Sequence, residues 1–529
     1  MIGDPHQSPS AVAGAVRPTS GGRIEPVGVV AVYAAVAVVV ALWIWPRPIN
    51  HDSAFLLLAG ERYLDGLSLY RDQFMANPPL APWIHALMVA ADRQMSAFGL
   101  PALGIQVLVP GVLLWCAAAA TLAGALLARS PDLGPRARTW LPLVLFVILT
   151  VAPTVDFGQR DHLFVIGAVP YAILAGLRLD GRAVPRGLGV AVGALAFLGM
   201  ALKPHFLLLP LVLEIAVLWR HRHWRTPFRP ETLTLGGLLG GYALLVVALY
   251  PDYFAVNLPV YARVFGSFTQ PIGNLLLRPE TVLFTIALLG WLRLRPRPAD
   301  GIVVAALVAA VAALAIFLLQ KKGWSYQRVP VLVFGAWLLA LLAFTRMRVS
   351  TGTGRVWTVA GLAVVCLLVG QRAHVADRIY RLDLAAALAE AGGGAPVYVF
   401  TTNVSIPYPG LQVAGVEPAS RFNTLWMIPA LARAEAEGRA ADLADVERFA
   451  RDAILADFER RGPGAVGVDV RDPKPYFGPV SFDYLPWALR DPRFARLWSA
   501  YTLSETRQGF EIYVRTGPWP PEFDEDEYP

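Results

Sequence analysis

Residues 26–46 read PVGVVAVYAAVAVVVALWIWP, an apolar run without a charge, and the chain then breaks into Arg47-Pro48-Ile49-Asn50-His51-Asp52. As a helix the run is long enough to cross roughly 30 Å of hydrocarbon. Similar runs recur at about 101–127, 139–155, 163–178, 187–202, 206–219, 232–250, 280–293, 301–319, 329–345 and 356–371. The pattern predicts a polytopic α-helical membrane protein of about eleven transmembrane helices. Composition agrees, with 56% hydrophobic and only 16% charged residues, too little charge to cover a soluble surface of this size. The net charge of +7 does not point to nucleic acid. Its arginines fall in short clusters between apolar runs, and basic patches interleaved with aromatics are absent. Cys116 and Cys366 both lie inside apolar runs and form neither a disulfide framework nor a metal site.

The clusters set the expected orientation. Arg129/Arg136/Arg138, Arg178/Arg182/Arg186, Arg220/Arg222/Arg225/Arg229, Arg293/Arg295/Arg297 and Arg346/Arg348/Arg355 occupy alternate loops, which places them on the cytoplasmic side of an inner membrane. Residues 1–25 then form a disordered cytoplasmic tail before a retained first span. The opposite, extracytoplasmic side receives segments 47–100, 156–162, 251–279 and 320–328. The long first loop, 47–100, predicts a helix running to Leu64, a turn at Asp65-Gly66, a break at Asn77-Pro78-Pro79 and an interfacial helix over Leu80–Phe98. Beyond the membrane domain (26–372), charge returns at ordinary density. Helix-like stretches at 377–391 and 443–461 alternate with strand-like ones at 396–400, 465–470, 498–503 and 510–515. This predicts a small extracytoplasmic α/β domain over 373–520 and an acidic tail over 521–529.

Ionisable groups at span ends are costly and require a reason. Asp52 is either a general base facing a cavity or a cap for the helix that follows it. The run Asp156-Phe157-Gly158-Gln159-Arg160-Asp161-His162 is the densest polar cluster between two spans. There Arg160 suits a phosphate, Asp156 or Asp161 a proton or a sugar hydroxyl, and an Arg–Asp pair closing a hairpin is the plain alternative. Lys203-Pro204-His205 interrupts two short apolar halves, as breaks lining a site do. Lys321, Lys322 and Arg328, with Trp324 and Tyr326 among them, run against the positive-inside trend and suit a polyanionic lipid headgroup. No Walker A, GxSxG or HExxH motif occurs.

Asp52, Tyr70-Arg71-Asp72 and Asn77-Pro78-Pro79-Leu80, followed by Gly158-Gln159-Arg160-Asp161-His162 and Lys203-Pro204-His205, resemble the motifs of the GT-C glycosyltransferase superfamily. The similarity is to bacterial members related to protein mannosyltransferases and lipid A aminoarabinose transferases. It implies a polyprenyl-phosphate-linked sugar as donor and a cell-envelope glycan, lipid or protein as acceptor. Asp52 is then the catalytic base, joined by Asp156 and Asp161. Arg160, His162, Lys203, His205, Lys321, Lys322, Tyr326 and Arg328 bind the donor phosphate and substrate. Many relatives carry an acidic pair after the first span; here Ser53 follows Asp52, so a partner carboxylate comes from Glu61 or Asp156 if there is one. No residue is assigned as a metal ligand, and a divalent metal stays open as a cofactor. Two other classes remain, a flippase of a lipid-linked saccharide and a non-catalytic scaffold. The long first loop, the appended domain and the lack of repeat symmetry weigh against transport.

Overall fold

Apolar runs fold into helices because hydrocarbon leaves the backbone no other partner than itself. The computed structural model describes residues 26–45, 47–294, 300–346 and 381–519. Ten helices run alternately between two ends of a bundle among the described residues. They are α1 (Pro26–Ile44), α4 (Leu108–Leu127), α5 (Pro135–Val151), α6 (Arg160–Leu179), α7 (Arg186–Met200), α8 (Leu208–His221), α9 (Pro230–Leu249), α12 (Pro279–Leu294), α13 (Gly301–Gln320) and α14 (Val329–Arg346). Six of the described helical segments are by themselves long and apolar enough to cross a membrane. The expected span at 356–371 lies outside the described residues. Helix α5 sits about one turn earlier than expected. Pro135 starts it, and it ends ahead of Pro153, which has no N–H to continue the helix, and of the left-handed turn at Thr154.

The described arginine-rich loops share one end. Arg178 is bidentate to Glu231 at 2.8 and 3.0 Å, His221 reaches the Arg178 carbonyl at 2.7 Å, and Asp180 accepts from the Gly301 amide at 3.0 Å. Between the spans at the other end lie α2 (His51–Leu64), α3 (Leu80–Ala97), α10 (Leu258–Val264) and α11 (Ile272–Leu276).

Helix α6 is the centre of the bundle: along its length only Arg178 escapes full burial. Its glycines allow neighbouring backbones to touch it. A Cβ on Gly167 would lie 2.6 Å from the Leu195 carbonyl oxygen, and one on Gly176 would lie 2.5 Å from Ile302 Cα. Backbone cannot yield as a side-chain tip can, so Gly176→Ala should part α6 from α13 and cost about 1–3 kcal/mol. Thermal unfolding in detergent checks this; an unchanged midpoint would show that the two helices are not held at this spacing.

The C-terminal domain carries a four-stranded sheet of order β1-β2-β4-β3, with β1 (Val397–Phe400) parallel to β2 (Ala465–Asp469). Strands β3 (Tyr501–Arg507) and β4 (Phe510–Arg515) join it antiparallel. Both β1, at the edge of the sheet, and β2 are buried along their whole length, as strands covered on both faces are. The third strand starts later than its sequence suggests. Asp491 caps a helix over Pro492–Trp498, with Pro492 at its first position, and this takes Trp498 out of the strand. The domain is fastened to the first loop. Arg62 on α2 donates to the Pro418 and Ser420 carbonyls, Gln412 Nε2 to the Ala54 carbonyl at 3.0 Å, and the Phe74 amide to the Arg421 carbonyl at 2.8 Å. Tyr261 of α10 stacks on Trp426 at 3.9 Å and 10°.

Candidate active site

Two helix N-termini converge at the domain-bearing end of the bundle. Helix α2 is capped by Asn50, whose side chain accepts from the Asp52 amide at 2.9 Å. The cap role open to Asp52 is thus taken by Asn50. Helix α6 is capped by Gln159, and the loop before it turns through two left-handed residues, Thr154 and Gly158. A Cβ on Gly158 would lie 2.7 Å from Leu108 Cδ2, so this turn suits glycine on two counts. The result brings Gln159 Nε2 to 2.7 Å and Arg160 Nη2 to 2.8 Å from Asp52 Oδ2. Both bonds fall on one oxygen and leave Oδ1 for other chemistry. Burial presses the Asp52 carboxyl upward, yet Arg160, then His51 and Lys203, outweigh it and hold the group below its ordinary value. Asp52 is therefore ionised at neutral pH.

A cavity of about 720 Å³ opens beside this pair. Asp52 is the only carboxylate among its described lining residues, whereas Arg160, Lys203 and Lys322 all face it, with His51, His205 and Tyr326. Lys203 bonds Asp161 at 2.5 Å and lies 4.7 Å above the Tyr326 ring. Lys322 sits 3.1 Å over the Phe265 ring centroid and 5.2 Å from that of Trp324, with no ion-pair partner among the described residues. Burial, with Lys203 nearby, pushes its pKa down to about 7. Arg160 Nε is buried with no hydrogen-bond partner. The site is a pocket with cations to spare, suited to an anion.

Other sequence candidates fall elsewhere. Asp156 is fully buried and braces three loops, accepting from Asn50 Nδ2 at 3.2 Å and Ser325 Oγ at 2.9 Å. Asp161 stands behind Lys203 as its counter-ion, without exposed surface. His162 turns into the bundle, where its Nδ1 accepts from the Gly158 amide at 3.0 Å and its Nε2 lies 2.6 Å from the Leu149 carbonyl. Both ring nitrogens are thereby used, which removes His162 from phosphate contact. Lys321 ends α13 in a left-handed conformation (φ 54°) and points to solvent. Arg328 is 3.2 Å from both oxygens of Glu280 and does not line the cavity. Glu61 pairs with Arg93 at 3.4 Å and lines a different hollow, of about 780 Å³, where four arginines face four carboxylates. Among the described residues no acidic partner thus joins Asp52 at the cavity. Among the described residues no three His, Cys, Asp or Glu side chains gather as metal ligands.

Sequence reading missed much of the wall: His51, Tyr253, Tyr261 and Phe265, and the C-terminal residues Thr402, Asn423, Thr424, Trp426 and Tyr476. Only His51 carried a signal, by adjacency to Asp52.

No protein-family model matches the chain, and no curated protein matches it in sequence. Among solved structures, the crystal structure of ArnT from Cupriavidus metallidurans in the apo state superposes with a TM-score of 0.54 at 14% identity, covering 92% of this chain and 98% of that one. Arabinofuranosyltransferase AftD from Mycobacteria gives a TM-score of 0.44 at 16% identity, covering 92% of this chain and 41% of that one. The apolar helices and the first of these superpositions make the chain a polytopic membrane protein. More narrowly, its fold is that of ArnT. At this identity the likeness is one of fold.

Proposed function

We propose that this protein is a membrane glycosyltransferase that moves a sugar from a polyprenyl-phosphate-linked donor onto a cell-envelope glycan, lipid or protein. The transfer takes place at the extracytoplasmic face of the inner membrane. The observation that carries the reading is the ionised Asp52 held 2.8 Å from Arg160 at the mouth of a cation-lined cavity. Asp52 Oδ1 takes the proton of the acceptor hydroxyl as that oxygen bonds to the anomeric carbon. The bond from that carbon to the phosphate oxygen breaks, and its electron pair leaves on the lipid phosphate. Arg160, Lys203 and Lys322 receive that charge, so no acid is needed to protonate the leaving group. The donor set suits this anion and not a divalent cation, since Asp52 is the one carboxylate among the described wall residues and already faces Arg160. No step is routed through a metal.

Mass analysis of envelope glycans and lipid-linked sugars in a deletion strain tests the reading. One sugar should vanish from the envelope while its lipid-linked form accumulates; unchanged profiles of both would overturn it.

Lys322 makes donor binding depend on pH. With its pKa near 7, the side chain is already charged below that pH. Above it, binding a phosphodiester requires a proton to be taken up first. Donor affinity should therefore fall by up to about tenfold per pH unit between about pH 7 and 9. Lys322→Arg, which stays charged throughout, should flatten the profile. A titration of donor affinity showing the same flat profile for wild type would remove Lys322 from the phosphate site.

A further inference from the structure

Besides Arg160 Nε, the cavity-wall residues His205, Asn423 and Trp426 each carry a buried polar atom without a hydrogen-bond partner: His205 Nε2, Asn423 Oδ1 and Trp426 Nε1. His205 comes from the break between α7 and α8. The other two come from the C-terminal domain, on the segment between β1 and the helix Ile428–Ala436. That segment is pinned on both flanks. The Leu425 amide and Thr424 Oγ1 both donate to the Thr401 carbonyl, at 3.0 and 2.7 Å, and the Arg421 carbonyl accepts from the Phe74 amide at 2.8 Å. Trp426 is 5% exposed and stacked on Tyr261. Its ring face is thus occupied, and its buried N–H edge is left without a partner.

A rigid donor and a rigid acceptor, three positions apart and both unsatisfied in one cavity wall, are costly unless a ligand or water completes them. We infer that Asn423 and Trp426 read a hydroxyl of the donor's sugar ring, so that the C-terminal domain sets sugar specificity. The inference rests on the glycosyl-phosphate reading of the cavity. Its direction follows from the layout: Arg160, Lys203 and Lys322 belong to the membrane domain, Asn423 and Trp426 to the domain packed over it. With the lipid tail running into the bilayer, a sugar on the clamped phosphate projects towards the C-terminal domain. One hydroxyl then accepts from Trp426 Nε1–H and donates to Asn423 Oδ1, a pairing that a deoxy sugar leaves unmet.

Calorimetry on the full-length protein in nanodiscs tests this, with farnesyl phosphate and its glucosyl, mannosyl, galactosyl and arabinosyl derivatives as probes. Wild type should bind at least one sugar-bearing lipid about tenfold more tightly than farnesyl phosphate. Trp426→Phe, which keeps a stacking ring and removes the N–H, should erase that increment, and so should Asn423→Ala. Binding of farnesyl phosphate itself should be unchanged in both. Asn423 is only partly buried, so its variant serves if Trp426→Phe lowers the thermal midpoint. A wild type with no sugar increment, or variants that retain it, overturn the inference and leave the phosphate site standing. Wild type that binds none of these lipids overturns the proposed function itself.

Discussion

Asp52→Asn should abolish most transfer, lowering turnover by about 10²–10⁴-fold, the usual contribution of a positioned general base. The amide has the size of the carboxylate and can still accept from Gln159 and Arg160, so the fold and the donor site should survive. Donor affinity should therefore stay close to wild type while turnover collapses, which separates a lost base from a lost binding group. The pH profile supplies a second sign. Arg160, His51 and Lys203 hold the Asp52 carboxyl below its ordinary value despite its burial, so the group is a competent base wherever an ordinary aspartate is ionised and loses that role only on further acidification. The acid limb of wild-type activity should accordingly lie at or below the usual carboxylate range. Full activity of Asp52→Asn would reduce Asp52 to an anchor for Arg160 and leave the proposed reaction without a base.

The bundle was legible in the sequence because a bilayer imposes two rules that any chain must display: apolar runs of fixed length, and arginine on alternate loops. The site was legible only as a neighbourhood. Arg160, Asp161 and His162 are consecutive, but they open α6, and each residue there turns by about 100° from the last. Arg160 meets the cavity, Asp161 lies behind Lys203 and His162 enters the bundle. Which residue faces which way depends on how α6 is rotated against its neighbours, a property of packing around Gly167 and Gly176 rather than of local composition. Lys321 and Lys322 differ for a similar reason, since the left-handed turn at Lys321 sends neighbouring side chains apart. Arg328 looked like a third phosphate ligand, but Glu280, 48 positions away, claims it. Asn423 and Trp426 carried no mark at all, because nothing near them in sequence shows that their domain closes over the membrane loops.

Arg160→Ala should be as damaging as loss of the base, for two separable reasons. It removes the phosphate clamp, and it withdraws the largest of the influences that keep the buried Asp52 carboxyl ionised. Transfer should fall by about 10³-fold or more, with donor affinity falling too, unlike the Asp52→Asn case. Arg160→Lys should recover only part of this, since a lysine restores charge without the planar fork that bonds Asp52 and can present further N–H groups to a phosphate. The double variant then separates the two roles. If Arg160 merely orients Asp52, adding Arg160→Ala to Asp52→Asn costs nothing more in turnover or in donor affinity. If it also clamps the phosphate, the double variant loses donor affinity that Asp52→Asn alone retains. Unchanged donor affinity and turnover in Arg160→Ala would return this arginine to the role of a hairpin brace, and Lys203 and Lys322 would be left to carry the phosphate alone.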